Sequence, residues 1–260
     1  MPDVTPLHAA ALAAIALGVG SLSTASLLAY SVFIPRSQFW APVLCTIPQR
    51  DAIALTFDDG PDDRFTPRIL DILAQHNTHA TFFVIGQSAK KSPNLLRRIS
   101  AEGHTLGNHS LDHHHFGVNK NLAYWKSQID DTQKIIADII GHPPYLFRPP
   151  MGFKTRHIAR AAKEAHLPVI AWSLRSLDTR ITDPARLAKR TLSKTGGHDI
   201  ILLHDGVEPG RGVGGSPKLS QEQTVAALPA ILEGLAEKEL RALTLLEALL
   251  PAPAPMAGPT

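Results

Sequence analysis

The stretch AIALTFDDGP, residues 52–61, decides how the rest of the chain is read. A short, mostly apolar run ends abruptly in two adjacent carboxylates and a Gly-Pro turn, the pattern of a buried strand running into a loop. Asp58 and Asp59 are like charges in contact, and each raises the other's pKa unless something compensates. A metal ion, a cationic partner or plain solvent would serve. Working outward, the same punctuation recurs. ATFFVIG (80–86), TLGNH (105–109), YLFRPPMG (145–152), PVIAWSL (168–174), DIILLH (199–204) and LRALTL (240–245) read as strands. Between them lie amphipathic stretches at 66–76, 92–104, 121–141, 155–166, 184–195 and 221–238, and a last turn at 246–250, which read as helices. Strand alternating with helix argues an α/β architecture with parallel strands. An open, doubly wound sheet is one arrangement, but neither G-x-G-x-x-G after the first strand nor a Walker A motif occurs. Polar residues cluster at strand C-terminal ends: Asp58-Asp59, His109, Arg148, Asp178 and His204. A barrel brings all such ends to one mouth, which favours a barrel.

Composition sets the limits. Apolar residues make up 44% of the 260 and charged residues 19%, as in a globular protein. The net charge is +3 with no long block of like charges, so nothing points to nucleic acid, and no protein partner is readable. Cys45 is the single cysteine, which excludes an intrachain disulfide and reads as a spectator thiol. From Val4 to Pro35 there is no Asp, Glu, Lys or Arg. As a helix, Leu7–Ile34 would extend about 42 Å, against about 30 Å of bilayer hydrocarbon. No basic region precedes it, so an uncleaved membrane anchor is expected rather than a signal peptide. The expected organisation is an anchor at 1–35, a linker at 36–50 with Phe39 and Trp40 at the membrane interface, a catalytic domain at 51–250, and a Pro/Ala-rich tail at 251–260. Arg36 and Arg50 after the span would favour a cytoplasmic domain by the positive-inside rule.

HSLDH (109–113) carries two histidines four residues apart, which share one face if the segment is helical and can then share a metal. His114 and His115 follow and read as surface or supporting polar residues. Two imidazoles and one carboxylate form an ordinary ligand set for catalytic Zn²⁺. One aspartate of the pair would then bind the ion and the other act as a base, with Arg148 its natural cationic partner.

TFDDGP, HSLDH, RPPMG, WSLRSLD (172–178) and ILLHDG occur in an order and spacing that resemble the polysaccharide deacetylases, the NodB-homology group of carbohydrate esterase family 4, over about residues 51–249. The resemblance implies a distorted, incomplete (β/α) barrel of about seven parallel strands. It implies Asp58 as general base, Asp59, His109 and His113 as metal ligands, and Arg148 as the residue orienting the base. Asp178 would support His204, the general acid. Met151 would offer its backbone N–H to the oxyanion, and Leu202 would line the acetyl pocket, with Pro149 and Trp172 also on the substrate side. The ion would be Zn²⁺, with Co²⁺, Ni²⁺ or Mn²⁺ as substitutes. The implied reaction removes acetyl groups from N-acetylated sugars of peptidoglycan or a chitin-like polymer, by way of water activated on the metal. A wall polymer as substrate would place the domain outside the cytoplasmic membrane, against the arginine count. Arg175 and Thr179 stand where the family often has Asp and Trp, so the groove wall should differ. An O-acetyl esterase of xylan type, a non-catalytic glycan-binding relative, and a metallohydrolase of cyclic amides are the competing readings.

Overall fold

The computed structural model describes residues 26–114, 117–207 and 220–250. Most of the segment read as an anchor, His115, most of the Gly-rich loop at 206–217 and the tail lie outside them. Among the described residues no helix is long and apolar enough to cross a membrane.

In chain order the elements are helix α1 (26–33), β1 (Val43–Leu44), β2 (Ala52–Asp58), α2 (Thr66–Gln75), β3 (Thr81–Val84), α3 (Gly86–Lys91), α4 (Pro93–Ala101), β4 (Thr105–Asn108), α5 (Leu122–Ile140), α6 (Arg156–Glu164), β5 (Val169–Ile170), β6 (Leu174–Arg175), α7 (Pro184–Lys194), β7 (Ile200–His204), α8 (Glu222–Glu237), β8 (Arg241–Leu243) and α9 (Leu245–Leu249). The strand pairs are all parallel, in the order β4-β3-β2-β7-β6, with β8 beside the start of β2 and β1 beside β5. Phe147 bridges β4 on one side and Val169 on the other. The segment from Val169 to Arg175 therefore pairs with Phe147 and β1 at its start and with β7 at its end, which closes the sheet into a barrel-like ring.

Strand alternation sorts the core. Ile53, Leu55 and Phe57 of β2 and Ile201 and Leu203 of β7 pack outward against the helices. Ala52 and Ala54 of β2 and Ile200 and Leu202 of β7 pack on the other face with Phe83, Phe147 and Trp172. Asp58 and His204 continue this second parity, so both are delivered to the same end of the ring.

Three local readings need correction. YLFRPPMG is not a strand: apart from the Phe147 bridge it is irregular, with a 3-10 turn at Pro150–Gly152, because two prolines remove backbone donors. PVIAWSL is two short strands interrupted at 171–173, where the chain passes from one neighbour to the next. Residues 36–50 do not form a free linker, since they supply β1 and bury Val43 and Ile47.

Candidate active site

Successive residues of a strand point to opposite faces, so two adjacent carboxylates should diverge. Here β2 ends at Asp58, and Asp59 takes φ 74°, a left-handed conformation that costs energy for a non-glycine residue. The turn returns its carboxylate to the face of Asp58. Ser110 (φ 67°) and His113 (φ 52°) do the same for HSLDH. That segment is a turn, so the two histidines do not meet through the helical face that their spacing would give them. The outcome is still convergence: Asp59 Oδ1 lies 3.4 Å from His109 Nε2 and 3.4 Å from His113 Nε2. All three residues are buried.

The trio fits a divalent metal. Asp59 Oδ1 is a buried oxygen with no hydrogen-bond partner, and it faces two imidazole nitrogens. His109 Nδ1–H donates to the Arg148 carbonyl at 2.7 Å, which leaves the Nε2 lone pair available to an ion. Burial opposes the charge on Asp59, but the His113 and His109 imidazoles that face it outweigh burial and hold the carboxyl well below the usual range. One carboxylate and two imidazoles are a donor set for Zn²⁺ or a similar ion.

Asp58 is engaged differently. Arg148, fully buried, donates to Asp58 Oδ1 at 2.6 Å and to Thr56 Oγ1 at 2.9 Å, and its second amino group donates to the Ala171 carbonyl at 3.1 Å. The guanidinium also lies over the Phe83 ring, 4.0 Å from its centroid. Asp58 Oδ2 remains beside the trio, 3.7 Å from His109 Nε2.

Across the ladder Asp58 is in register with His204. His204 Nδ1–H donates to Asp178 Oδ1 at 2.9 Å, and its backbone N–H donates to Oδ2 at 2.7 Å. Burial opposes protonation of His204, yet Asp178 overrides it and the imidazole is pushed up to about 10. Such a group is a cation at neutral pH with Nε2–H left to give. Met151 sits in the 3-10 turn at φ 58° and is exposed. Leu202, Pro149 and Trp172 are buried close by in sequence or on the same face.

Sequence reasoning missed the supports. Gln128 Oε1 accepts the N–H groups of Leu111 and Asp112 at 2.9 and 3.2 Å, and Asn108 Oδ1 accepts that of Ser110 at 2.9 Å. Thr224 of α8 donates to Asp178 Oδ2 at 3.0 Å. Asp205 takes a hydrogen bond from Thr66 at 2.6 Å, and burial raises it to about 7. Gln128 could have been noticed, because it falls on the apolar stripe Trp125–Ile129–Thr132–Ile136 of α5. Thr224 carries no such signal. Asp112 of HSLDH turns away from the trio, accepting from Tyr124 at 3.2 Å, and His114 is exposed.

Comparison with known proteins agrees with this arrangement. Residues 47–170 match the family described as Polysaccharide deacetylase. A peptidoglycan-N-acetylglucosamine deacetylase of Bacillus cereus is 37% identical over 193 residues, 74% of this chain and 66% of that enzyme. A chitooligosaccharide deacetylase of Bradyrhizobium sp. is 33% identical over 71% of this chain and 84% of its own length. The crystal structure of the Bc1960 peptidoglycan N-acetylglucosamine deacetylase, in complex with 4-naphthalen-1-yl-N-oxidanyl-benzamide, superposes with a TM-score of 0.72. It has 33% sequence identity, covering 79% of this chain and 92% of the other.

Proposed function

The chain belongs to the polysaccharide deacetylase family, and on that premise we propose that it hydrolyses the acetamido group of N-acetylated sugars in a glycan of peptidoglycan or chitin-like type. One observation carries the reading. A buried, unpartnered Asp59 oxygen faces two imidazoles, while an Arg-held carboxylate and an Asp-held imidazole stand in register on adjoining strands. That is a metal site flanked by a base and an acid.

Asp59, His109 and His113 would hold the ion. When bound, a divalent ion, Zn²⁺ by its donor set, supplies Lewis acidity that activates water and polarises the acetyl carbonyl. Arg148 fixes one oxygen of Asp58 and leaves the other to accept the proton of the attacking water. The Met151 N–H is offered to the oxygen that gains charge as the carbonyl becomes tetrahedral. His204, kept protonated by Asp178, donates from Nε2 to the departing amine, which then leaves as a neutral sugar amine. No side-chain nucleophile is needed.

The test is acetate release by the full chain in detergent, with and without a chelator, from N-acetylglucosamine oligomers, peptidoglycan and acetylated xylan. Chelator-sensitive acetate from either of the first two is expected. Release from xylan alone would shift the reading to an O-acetyl esterase, and no release from any would overturn it.

The chain is also proposed to be membrane-anchored, with its domain on the outer side. Support comes from the charge-free stretch at 4–35 and from the apolar groups that α1 and the residues after it leave exposed, among them Leu27, Leu28, Tyr30 and Phe33. Protease added to intact cells should degrade the domain; full protection would place it inside.

A further inference from the structure

The turn that carries Met151 is not held by the barrel alone. Lys154, two residues past that turn, is 1% exposed, an unusual place for an ammonium group. Its Nζ donates to the carbonyls of Pro35 at 2.7 Å, Ile34 at 3.2 Å and Gly152 at 3.3 Å. Its backbone N–H donates to the Val32 carbonyl at 3.0 Å. Val32 belongs to the last turn of α1, and Ile34 and Pro35 follow it, so the lysine satisfies carbonyls at a helix C-terminus, where a cation is favoured. It also bonds the 3-10 turn itself through Gly152. The contact extends to side chains. Phe33 meets Phe153 edge to face, with centroids 4.9 Å apart. A Cβ on Gly152 would sit 3.0 Å from Pro35 and 2.7 Å from Trp172, so the close approach requires glycine there. Arg36 donates to the Ser173 carbonyl, next to Trp172.

We propose that Lys154 is a positioning residue, locking the Met151 turn to the end of α1, so that the N-terminal segment is a working part of the active site as well as a tether. The physical argument is one of scale. An oxyanion donor is useful only if its N–H is aimed before reaction, and a displacement of about 1 Å can cost about 100-fold in rate. Prolines 149 and 150 stiffen the approach to Met151 but leave the far side of the turn with fewer constraints. Lys154 supplies the missing one, by joining three carbonyls from two segments that are distant in sequence. The ammonium suits the task because it has three donors and no acceptor. A methionine of similar length would fill the space and satisfy none of the carbonyls.

This inference rests on the hydrolase reading above, and the experiment separates the two. Full-length protein in detergent is compared with Lys154→Met, Phe33→Ala and the double variant. Acetate release, metal stoichiometry, thermal midpoint and backbone amide exchange are read for each. Lys154→Met should lower kcat about 10- to 100-fold, leave KM within about threefold, and leave metal binding and the main unfolding transition unchanged. Phe33→Ala, at a half-exposed ring, should lower kcat less, and the double variant should be no slower than Lys154→Met. Exchange of the Lys154 amide should rise in both single variants, while β2 amides stay protected. Wild-type kcat in Lys154→Met, or loss of activity in step with metal or with the main transition, would overturn the proposal. If the unaltered chain releases no acetate, the hydrolase reading falls; exchange at Lys154 that does not change in either variant then overturns the lock as well.

Discussion

Asp178 shows how much a single residue can be asked to do. Its two oxygens accept from four donors: the backbone and ring of His204, the Thr224 hydroxyl, and the Thr179 N–H. Only a carboxylate, acceptor-only and doubly lone-paired on each oxygen, can take all four. In Asp178→Asn an amide NH₂ would confront donors on one side. The negative charge that raises His204 would also be gone. The expected result is a fall in kcat of about 100-fold or more, and an alkaline limb of the pH–rate profile moved to lower pH, read from kcat against pH. The sign follows from which form Asp178 favours. It stabilises imidazolium, so its removal lets the proton leave earlier. For stability the same pair contributes fully below the unfolded histidine value of about 6.5, and the contribution is lost as pH rises through about 10. At this scale the sequence was informative, since Asp58, Asp59, His109, His113, Arg148, Asp178 and His204 all stand at or just beyond strand ends or within short motifs. Their left-handed turns were not legible, because φ at Asp59 or His113 is fixed by partners elsewhere in the fold.

Among the elements, α5 does more than cover the sheet. It presents Gln128 to the histidine turn, and Asn108, which ends β4, donates to α5 through the Ile129 carbonyl and the Gln133 side chain, both at 3.0 Å. The turn between His109 and His113 thus has two of its backbone donors, those of Leu111 and Asp112, satisfied by a helix that begins some ten residues later. Gln128→Ala would leave two half-buried N–H groups without their acceptor, at a cost of up to about 1–3 kcal/mol each where water cannot replace it. The turn should loosen, and metal affinity should fall about 10-fold or more, measured by competition with a chelating dye, while Asp59 and both histidines stay in place. Periodicity found α5 to within a residue at each end, from Leu122 to the left-handed Gly141. It failed at α3, which follows β3 after a single residue: only Gly86 falls within the strand reading at 80–86, and no element is read over 87–91. It failed again at Ala171–Ser173, where a closing ring forces the chain to change neighbours and no local propensity records that.

For the whole molecule, the ring explains why so much charge can be buried at one end without unfolding the other. Asp58 ends β2 and Asp59 and His109 lie just past the ends of β2 and β4, with His113 and Arg148 brought to them by the following turn and the segment after the Phe147 bridge, while the apolar residues of β2 and β7 fill the two faces behind them. Metal at Asp59 would therefore add to an existing fold and not create it, in contrast to small domains that need their ion to fold. Two consequences can be separated experimentally. Stripping the metal should abolish acetate release yet leave the far-ultraviolet circular dichroism unchanged, since the strand ladder does not pass through the trio. Restoring it should raise stability by mass action, by about 2.7 kcal/mol when free metal is 100 times its Kd, seen as a midpoint that climbs with metal concentration. Asp59→Ala should lower the apo midpoint modestly at neutral pH, because the imidazoles that hold this carboxyl below its usual range make the ionised group stabilising even without the ion, and should remove the metal dependence altogether. A midpoint that still climbs in Asp59→Ala would place the stabilising ion elsewhere, and an apo protein without a cooperative transition would mean that the ring closes only around its metal.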